Sequence, residues 1–178
     1  MKHTLDLTFT PDGRYACPGL GLTQDLALRD LGLVLAQHGC DQCPIFKSCE
    51  MSHWTKMDVA ISDAVALRTA AEELGLVWQV GGEARGYAGQ RMKADFVLKT
   101  PATCRYDVAA VRDPKTGLLS LTTDWWGGDV AKHVGASYGK LLQHYGIAKA
   151  HIAARAKGFT TTRKTQPNGN IVLTIQMP

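Results

Sequence analysis

Five cysteines are the residues of this chain with the clearest capacity for chemistry, and four of them lie before residue 50. Cys40, Cys43 and Cys49 form a C-x2-C-x5-C run, and Cys17 lies upstream of it. A gap of two residues lets neighbouring thiolates reach one metal centre through a tight turn, and Pro44 stiffens the exit from such a loop. Four thiolates complete the coordination of a 4Fe–4S cluster or of a structural zinc. The spacing therefore predicts one metal centre held by all four cysteines.

Two other interpretations of the cysteines stay open. Cys40, Cys43 and Cys49 with His53 would form a rival zinc site, because C-x5-C-x3-H also ends a CCCH zinc finger. Such a finger has a longer first gap than the one here. In the second alternative the thiols bind no metal, since free cysteines are commonly buried as small apolar side chains. Cys104, on a predicted strand, is expected to be a core thiol of this kind.

The cysteine spacing resembles the cluster motif of WhiB-like iron–sulfur regulators. Its C-x2-C-x5-C tail with a remote upstream cysteine is also similar to the iron–sulfur staple of RecB-type nucleases linked to CRISPR adaptation. Both resemblances cover the cysteines only, since neither the acidic residues of a nuclease nor the glycine–tryptophan turn of the WhiB-like proteins accompanies them. They imply a 4Fe–4S cluster in preference to zinc. Because four ligands fill the coordination of either centre, we expect a structural or redox-sensing role.

A glycine-rich segment over residues 81–91 surrounds Arg85 and Arg91. Glycines allow a nest of backbone amide groups, and such a nest with two cations nearby suits a phosphate group or a binding partner. The G-x-x-x-x-G-K-[ST] pattern is missing, so the segment is not a P-loop. The candidate ligand- or partner-binding residues here are Arg85, Gly86, Tyr87, Gln90 and Arg91. The open alternative is a glycine-rich connection between two strands.

Trp125 and Trp126 end a predicted strand just before two glycines. Consecutive strand residues face opposite sides of a sheet, so one tryptophan is expected in the core and the other at a surface or interface. Asp124 is placed to cap the following loop. Trp125 and Trp126 therefore join the ligand- or partner-binding set.

The net charge of +4 conceals a basic C-terminal end, where residues 129–178 carry seven Lys and Arg against one acidic residue. A basic end suits nucleic acid or an acidic partner. Several basic side chains fall on one line of the helix predicted there, and a solvated helix face is the competing interpretation. The residues of the nucleic-acid alternative are Lys140, His144, His151 and Arg155.

The elements that must position these residues are indicated by apolar periodicity. Residues 4–9 alternate as a half-buried strand, a turn follows at Pro11, and a helix follows in turn. We therefore expect a small β-β-α module with the four-cysteine site over residues 1–50. A separate α+β domain over residues 51–178 is expected to follow it.

In that domain Asp63 is placed to cap a helix that ends near Leu74. Turn residues at 113–117 and 167–170 predict two hairpins, and a long helix is expected from Asp129 to Lys157. Its buried stripe is predicted to comprise Val134, Tyr138, Leu141, Tyr145, Ala148 and Ile152. The predicted fold class is α+β, with an antiparallel sheet, one long helix and one shorter helix.

Composition narrows the class of protein. With 45% hydrophobic and 20% charged residues, the chain is neither disordered nor fibrous. Its apolar runs are short and interrupted, so we expect no membrane span and no signal peptide, and a cytoplasmic protein. No nucleophile and base have a recognised spacing, which leaves open whether the protein is an enzyme.

From Met51 to Pro178 the chain resembles the family of hypothetical chloroplast reading frame thirty-five, found in plastids, cyanobacteria and phages. The matching segments are Met51-Ser52-His53, Ala71-Glu72-Glu73-Leu74-Gly75, Gly86-Tyr87-Ala88-Gly89-Gln90, Asp124-Trp125-Trp126 and Gly158-Phe159. Residues 1–35 more weakly resemble a small companion family of unknown function. The activity of the larger family is unsettled, so the resemblance implies no catalytic residue.

Three classes of function follow from these observations. The first is a metal-containing accessory or regulatory protein that binds a protein partner or a phosphate-bearing ligand. The second is a nucleic-acid-binding protein with a structural zinc site. The third is an enzyme that acts on a nucleotide or a phosphorylated ligand.

Overall fold

The computed structural model of the chain describes residues 3–11, 15–16 and 54–177. Every pair of neighbouring strands in this part is antiparallel, and helices pack with the sheets, so the predicted α+β class is confirmed. The described elements divide into two compact units. Among the described residues, no helix is long and apolar enough to cross a membrane.

Unit 1 combines the two ends of the chain with two helices. Its strands form a sheet in the order β10-β11-β1-β2. Its elements are β1 (His3–Phe9), β2 (Tyr15–Ala16), α1 (Ala64–Glu73), α3 (Gly139–Ala156), β10 (Thr160–Thr165) and β11 (Ile171–Met177).

Strand β1 has the alternation that the sequence predicts. Leu7 and Phe9 are buried while Asp6 is exposed, and Leu7 pairs with Leu173 of β11. One apolar cluster joins this sheet to α3 through Leu7, Phe9, Ile147, Ala150, Ala154, Ile171, Leu173 and Ile175. The boundary expected at residue 50 stays a prediction, because the predicted module helix and its cysteines lie outside the described residues.

Helix α1 begins where the sequence places it. The Asp63 carboxylate accepts hydrogen bonds from the backbone N–H groups of Val65 and Ala66, which satisfies donors that have no partner inside the helix. The predicted hairpin of β10 and β11 is also present.

The helix expected from Asp129 to Lys157 is interrupted, and that expectation was wrong in its bounds. A short helix ends at Val134, and α3 begins only at Gly139. Between them Gly135, Ser137 and Tyr138 all have positive φ, which a right-handed helix cannot contain. Ile152 is also 37% exposed, whereas the other five residues of the predicted stripe are buried.

Unit 2 contains a five-stranded sheet in the order β3-β9-β8-β7-β4 and a separate hairpin of β5 and β6. Its elements are β3 (Trp54–Ile61), β4 (Val77–Val80), β5 (Glu83–Arg85), β6 (Arg91–Lys93), β7 (Phe96–Lys99), β8 (Val108–Arg112), β9 (Leu119–Asp124) and α2 (Asp129–Val134).

Two turns set the positions of the candidate site in unit 2. The hairpin predicted at residues 113–117 is confirmed, since Gly117 N–H donates to the Asp113 carbonyl at 2.8 Å. Residues 91–99 form two strands rather than one, because Ala94 N–H donates a hydrogen bond to the Gly82 carbonyl at 3.1 Å. As a result β5 and β6 form a hairpin of their own.

Candidate functional site

The loop between β5 and β6 is closed by its own backbone. Gly86 N–H donates to the Gln90 carbonyl, and Gln90 N–H donates to the Tyr87 carbonyl, both at 2.9 Å. Ala88 takes a left-handed conformation with φ of 52°. Two amide groups are thus used inside the loop, so the amide nest predicted here would have fewer donors for a phosphate.

Arg85, a candidate ligand-binding residue, is bound within unit 2. Its Nε and Nη2 donate to the two oxygens of the buried Asp107 carboxylate at 2.9 and 2.8 Å. Lys99 Nζ lies 3.6 Å from the same carboxylate, and Thr100 N–H donates to it at 3.0 Å. Arg91, its cross-strand neighbour, is exposed.

The charge of Asp107 is stabilised despite burial. Burial raises the pKa of this carboxyl, but hydrogen bonds from Arg85 and from the Thr100 backbone outweigh it, and the pKa lies below its usual value. The same hydrogen bond raises the pKa of Arg85. The geometry therefore supports a structural role for Arg85, while ligand binding by Arg85 and Arg91 stays a prediction.

The loop after β9 holds the two tryptophans. The Asp124 carboxylate accepts a hydrogen bond from the backbone N–H of Trp126 at 2.8 Å, so the predicted cap is present. Gly127 and Gly128 both have positive φ, which turns the chain sharply into α2. Trp126 is 59% exposed, as the sequence predicts for one of the two tryptophans, whereas Trp125 is half-buried rather than in the core.

The tertiary structure brings the β5–β6 loop and the tryptophan loop after β9 into contact through their aromatic rings. The centroids of Tyr87 and Trp126 are 6.4 Å apart, in an edge-to-face arrangement. Both side chains are exposed. We name this place the Trp126 surface, which consists of Tyr87, Arg105, Trp126 and Asp129, with Tyr106 and Asp124 beneath them.

Arg105 contributes a cation to the Trp126 surface. Its guanidinium lies 5.8 Å from the centroid of the Tyr106 ring, and its Nε is 3.4 Å from Asp129 Oδ2. Lys132 Nζ contacts the other oxygen of Asp129 at 3.0 Å. Lys132 and Arg105 together hold the pKa of Asp129 below its usual value. A Cβ on Gly127 would lie 2.8 Å from Arg105 Nη2, so the guanidinium lies close to Gly127.

Asp124 is a buried carboxylate at the base of this surface. Its Oδ2 has no hydrogen-bond partner among the described residues, whereas its Oδ1 holds Trp126. Burial raises the pKa of Tyr106, and the negative charge of Asp124 raises it further. The Trp126 surface therefore combines aromatic rings with two carboxylates and one exposed guanidinium.

The residues of the nucleic-acid alternative lie in unit 1. His144 Nδ1 is 2.6 Å from Glu73 Oε2, and Arg163 Nη1 is 2.8 Å from the same oxygen. Burial raises the pKa of Glu73, but Arg163 and His144 lower it to a value below the usual range.

The remaining members of that set have different surroundings. His151 Nδ1 is 2.6 Å from Thr161 Oγ1, while Lys140 and Arg155 are exposed. Part of the positive charge thus meets the Glu73 carboxylate, and nucleic-acid binding stays a prediction.

The four cysteines predicted to bind a metal, Cys17, Cys40, Cys43 and Cys49, lie outside the described residues. Cys104 is buried as expected, and its Sγ donates to the Tyr106 carbonyl at 3.4 Å. Within residues 3–11, 15–16 and 54–177, no group of three or more His, Cys, Asp and Glu side chains could hold a metal ion.

Sequence reasoning did not single out Arg105, Asp107 or Asp129 as site residues. One signal was available, since Arg105-Tyr106-Asp107 places two charges and an aromatic ring at the start of a buried strand. A second pattern, G-x-S-x-G over residues 135–139, was also overlooked. That motif needs a strand before its serine, and here a helix precedes it, so it indicates no nucleophile.

The sequence model of a family described as a protein of unknown function, DUF1257, matches residues 70–174, which is more than half of the chain. All residues of the Trp126 surface fall inside this match. No curated protein and no solved structure matches the sequence.

Proposed function

We propose that this chain, which belongs to the DUF1257 family of proteins of unknown function, is an accessory or regulatory protein that binds a protein partner through the Trp126 surface. The observation that carries this proposal is the contact of the exposed Tyr87 and Trp126 rings beside Arg105. Tryptophan, tyrosine and arginine are the residues that contribute most often to the binding energy of protein interfaces.

The backbone around these rings supports a preorganised contact surface. The Asp124 carboxylate holds the Trp126 N–H, and the β5–β6 loop that carries Tyr87 is closed by two backbone hydrogen bonds. A loop whose backbone is held in this way loses little conformational entropy when a partner binds. The surface therefore suits recognition of a partner better than it suits closure over a small molecule.

The charges nearby favour a protein over a phosphate-bearing ligand. Asp129 places a carboxylate at the surface, with Asp124 buried beneath it, and Arg105 and Lys132 both contact Asp129. A phosphate would have to displace the Asp129 carboxylate from these two cations. The phosphate-bearing ligand therefore has weaker support than the protein partner.

A metal centre is the second part of the proposal. The donor set of Cys17, Cys40, Cys43 and Cys49 fits a 4Fe–4S cluster or a zinc ion, and the cysteine spacing favours the cluster. Four thiolates fill the coordination of either centre, so its role would be structural or redox-sensing. We also propose that residues 51–178 are related to the hypothetical chloroplast reading frame thirty-five family that they resemble.

Metal content tests this part directly. We expect protein purified without oxygen to be coloured and to contain about four iron and four sulfide per chain, as a 4Fe–4S cluster requires. Cys43→Ser should reduce the iron content, whereas Cys104→Ser should not change it. A colourless protein with one zinc would establish the zinc alternative. A protein that contains neither iron nor zinc and has four reactive thiols would contradict the metal centre.

Site-specific photocrosslinking tests the partner surface. A benzoylphenylalanine replaces Trp126 in the full chain, and a matched variant carries it at Val80, which is 76% exposed in the same unit. In cells that naturally produce the protein, position 126 should give one adduct of discrete mass that position 80 does not give. The captured protein is then identified, purified and titrated with the wild-type chain.

The expected result is saturable one-to-one binding that weakens about tenfold or more in Tyr87→Ala, since a hot-spot side chain contributes at least that much. Val80→Ala serves as the matched control and should bind like the wild type. Equal adducts from both positions, or an affinity that Tyr87→Ala leaves unchanged, would contradict the proposed surface.

A further inference from the structure

We propose that strand β10 of unit 1 binds an extended acidic segment of a protein partner, which adds to the sheet as a further strand. We name this surface the β10 edge. It consists of the outward-pointing backbone of β10 and of the basic side chains of α3 beside that backbone. Because the Trp126 surface is in unit 2, this inference goes beyond the proposed function and does not depend on it.

Strand β10 lies at one end of the unit 1 sheet, with β11 as its neighbour on one side. Its six residues, Thr160–Thr165, pair with β11 without a register shift, and no other strand of the described residues pairs with it. All six are half-buried or exposed. An edge strand presents a row of backbone N–H and C=O groups, and an extended peptide can pair with them.

The register shows which backbone groups of β10 point outward. Gln166 N–H donates to the Asn170 carbonyl at 2.8 Å, where the hairpin closes. Hydrogen-bonded and non-hydrogen-bonded pairs alternate in an antiparallel ladder, so the next residue that bonds to β11 is Lys164. The N–H and C=O groups that point away from β11 are therefore those of Thr161, Arg163 and Thr165.

Helix α3 lies beside these outward-pointing residues. His151 Nδ1 is 2.6 Å from Thr161 Oγ1, and His144 Nδ1 is 3.4 Å from Arg163 Nη2. The same line of the helix continues by about one turn in each direction to two exposed cations, Lys140 and Arg155. A strand added to β10 would therefore present every second side chain to this line of α3.

The charge at the β10 edge is positive. Helix α3 contains three Lys and Arg residues and β10 contains two, and neither element contains Asp or Glu. Glu73 of α1 compensates part of this charge, since its carboxylate contacts His144 and Arg163 at 2.6 and 2.8 Å. An excess of positive charge remains on three exposed side chains, those of Lys140, Arg155 and Lys164. This excess is complementary to carboxylates of an added segment.

Two other occupants agree less well with these features. A second copy of the chain, paired through its own β10, would bring Arg163 and Lys164 close to the same residues, and like charges across a strand pair are destabilising. A nucleic acid matches the charge, but its phosphate groups accept hydrogen bonds and would give the outward carbonyls of β10 no donor. A peptide backbone brings both donors and acceptors.

Titration of the full-length protein with defined peptides tests this inference. The probe is a capped peptide of about eight residues in which glutamate and threonine alternate, long enough to span β10. One control peptide has glutamine in place of every glutamate. A second control carries a methyl group on the backbone nitrogen of every glutamate, which removes the N–H groups that would point to β10 when the glutamates face α3.

Binding is followed by nitrogen-15 spectra of the β10 amides and by their exchange with deuterated solvent. At saturation the glutamate peptide should slow exchange of the outward amides of Thr161, Arg163 and Thr165 about tenfold or more. The amides of Thr162 and Lys164, which already bond to β11, should keep their exchange rates. Both control peptides should bind at least about tenfold more weakly, since each lacks one of the two contacts.

Charge variants of the protein give a second measurement. Lys140→Gln and Arg155→Gln should each weaken binding of the glutamate peptide about threefold, as the loss of a solvent-exposed ion pair does. The matched control is Lys115→Gln, which removes the same charge from an exposed position of the turn at residues 113–117 in unit 2 and should leave the affinity unchanged. Each variant must keep the unfolding temperature of the wild type.

Equal binding of the glutamate and glutamine peptides would overturn the inference, as would binding that protects none of the three outward amides. Failure of the glutamate peptide to bind at millimolar concentration would overturn it too. A single-stranded oligonucleotide that binds more tightly than the glutamate peptide and leaves those amides unprotected would overturn it in favour of nucleic acid.

Discussion

At the scale of single residues, the ion pair with Asp107 distinguishes Arg85, which has a structural role, from the exposed Arg91 in unit 2. Arg85 and Arg91 face each other across the β5–β6 hairpin and have the same side chain. Arg85 contacts a fully buried carboxylate, whereas Arg91 is exposed. Their different surroundings make them a matched pair for mutagenesis.

Arg85→Ala should lower the free energy of unfolding by about 3 kcal/mol, because it leaves the buried Asp107 charge without its main partner. Arg91→Ala should change it by less than about 0.5 kcal/mol, as an exposed substitution does. Urea unfolding of the full chain, followed by circular dichroism, measures both. Equal effects of the two substitutions would show that the Arg85 ion pair does not stabilise the fold.

The ion pair of Arg85 and Asp107 also predicts that the stability of the protein depends on pH. The folded-state pKa of Asp107 is lower than its unfolded value, so its contribution is fully present above the ordinary value of about 4. It is lost as the pH falls below that value and through the folded-state pKa. The difference in unfolding temperature between the wild type and Asp107→Asn should therefore shrink between pH 6 and pH 3. A constant difference over that range would contradict a charged Asp107.

At the scale of elements, the packing of α3 against β1 depends on one close contact and one polar tie. A Cβ on Gly146 would lie 2.8 Å from Cε1 of Phe9. Gln143 Nε2 donates to the Phe9 carbonyl at 2.9 Å and to the Gly169 carbonyl at 3.0 Å. Helix α3 is thus held closely against the strand at this point.

Gly146→Ala should destabilise the protein, although the same change in an ordinary helix interior stabilises it by up to about 1 kcal/mol. The methyl group would overlap the buried Phe9 ring, and overpacking of this kind typically costs about 1–3 kcal/mol. In a Phe9→Leu background the added methyl should cost less. A double-mutant cycle by urea unfolding measures this coupling, and strictly additive effects would show that the two residues do not meet.

At the scale of the whole molecule, the two ends of the chain form one sheet. Strand β1 lies between β11 and β2, and Thr174 Oγ1 donates to Asp6 Oδ1 across a separation of 168 residues. Leu7 and Phe9 of β1 belong to the apolar cluster of unit 1. The first strand is therefore part of the structural framework of the described chain.

Deletion of residues 2–10 should destabilise the protein by about 3–6 kcal/mol, since it removes two buried side chains worth about 1.5–3 kcal/mol each. It also leaves β11 as an unprotected edge, so we expect association at higher concentration. Thermal unfolding and size-exclusion chromatography measure the two effects, with Cys17 retained so that the predicted metal ligands are intact. A variant that stays monomeric with an unchanged unfolding temperature would show that β1 is dispensable.

The sequence by itself determined the features that depend on near neighbours. The alternation of β1, the cap of α1 by Asp63, the cap of the tryptophan loop by Asp124 and the turns of two hairpins were all predicted correctly. Each of these depends on the conformational preferences and hydrogen bonds of residues a few positions apart. The cysteine spacing is also a local pattern, and the metal centre that it predicts is still to be tested.

Only the tertiary structure decided which distant side chains meet. Arg85 and Asp107 are 22 residues apart, and the register of the sheets and the burial of Asp107 made one arginine structural and left its neighbour exposed. Tyr87 and Trp126 come from different loops, and their contact created the Trp126 surface. The break before α3 was missed because the apolar period continues across Gly135. The positive φ angles that follow helix α2 do not change that period. Periodicity shows which face of an element is buried, whereas packing between elements decides where the chain must turn and which charges become partners.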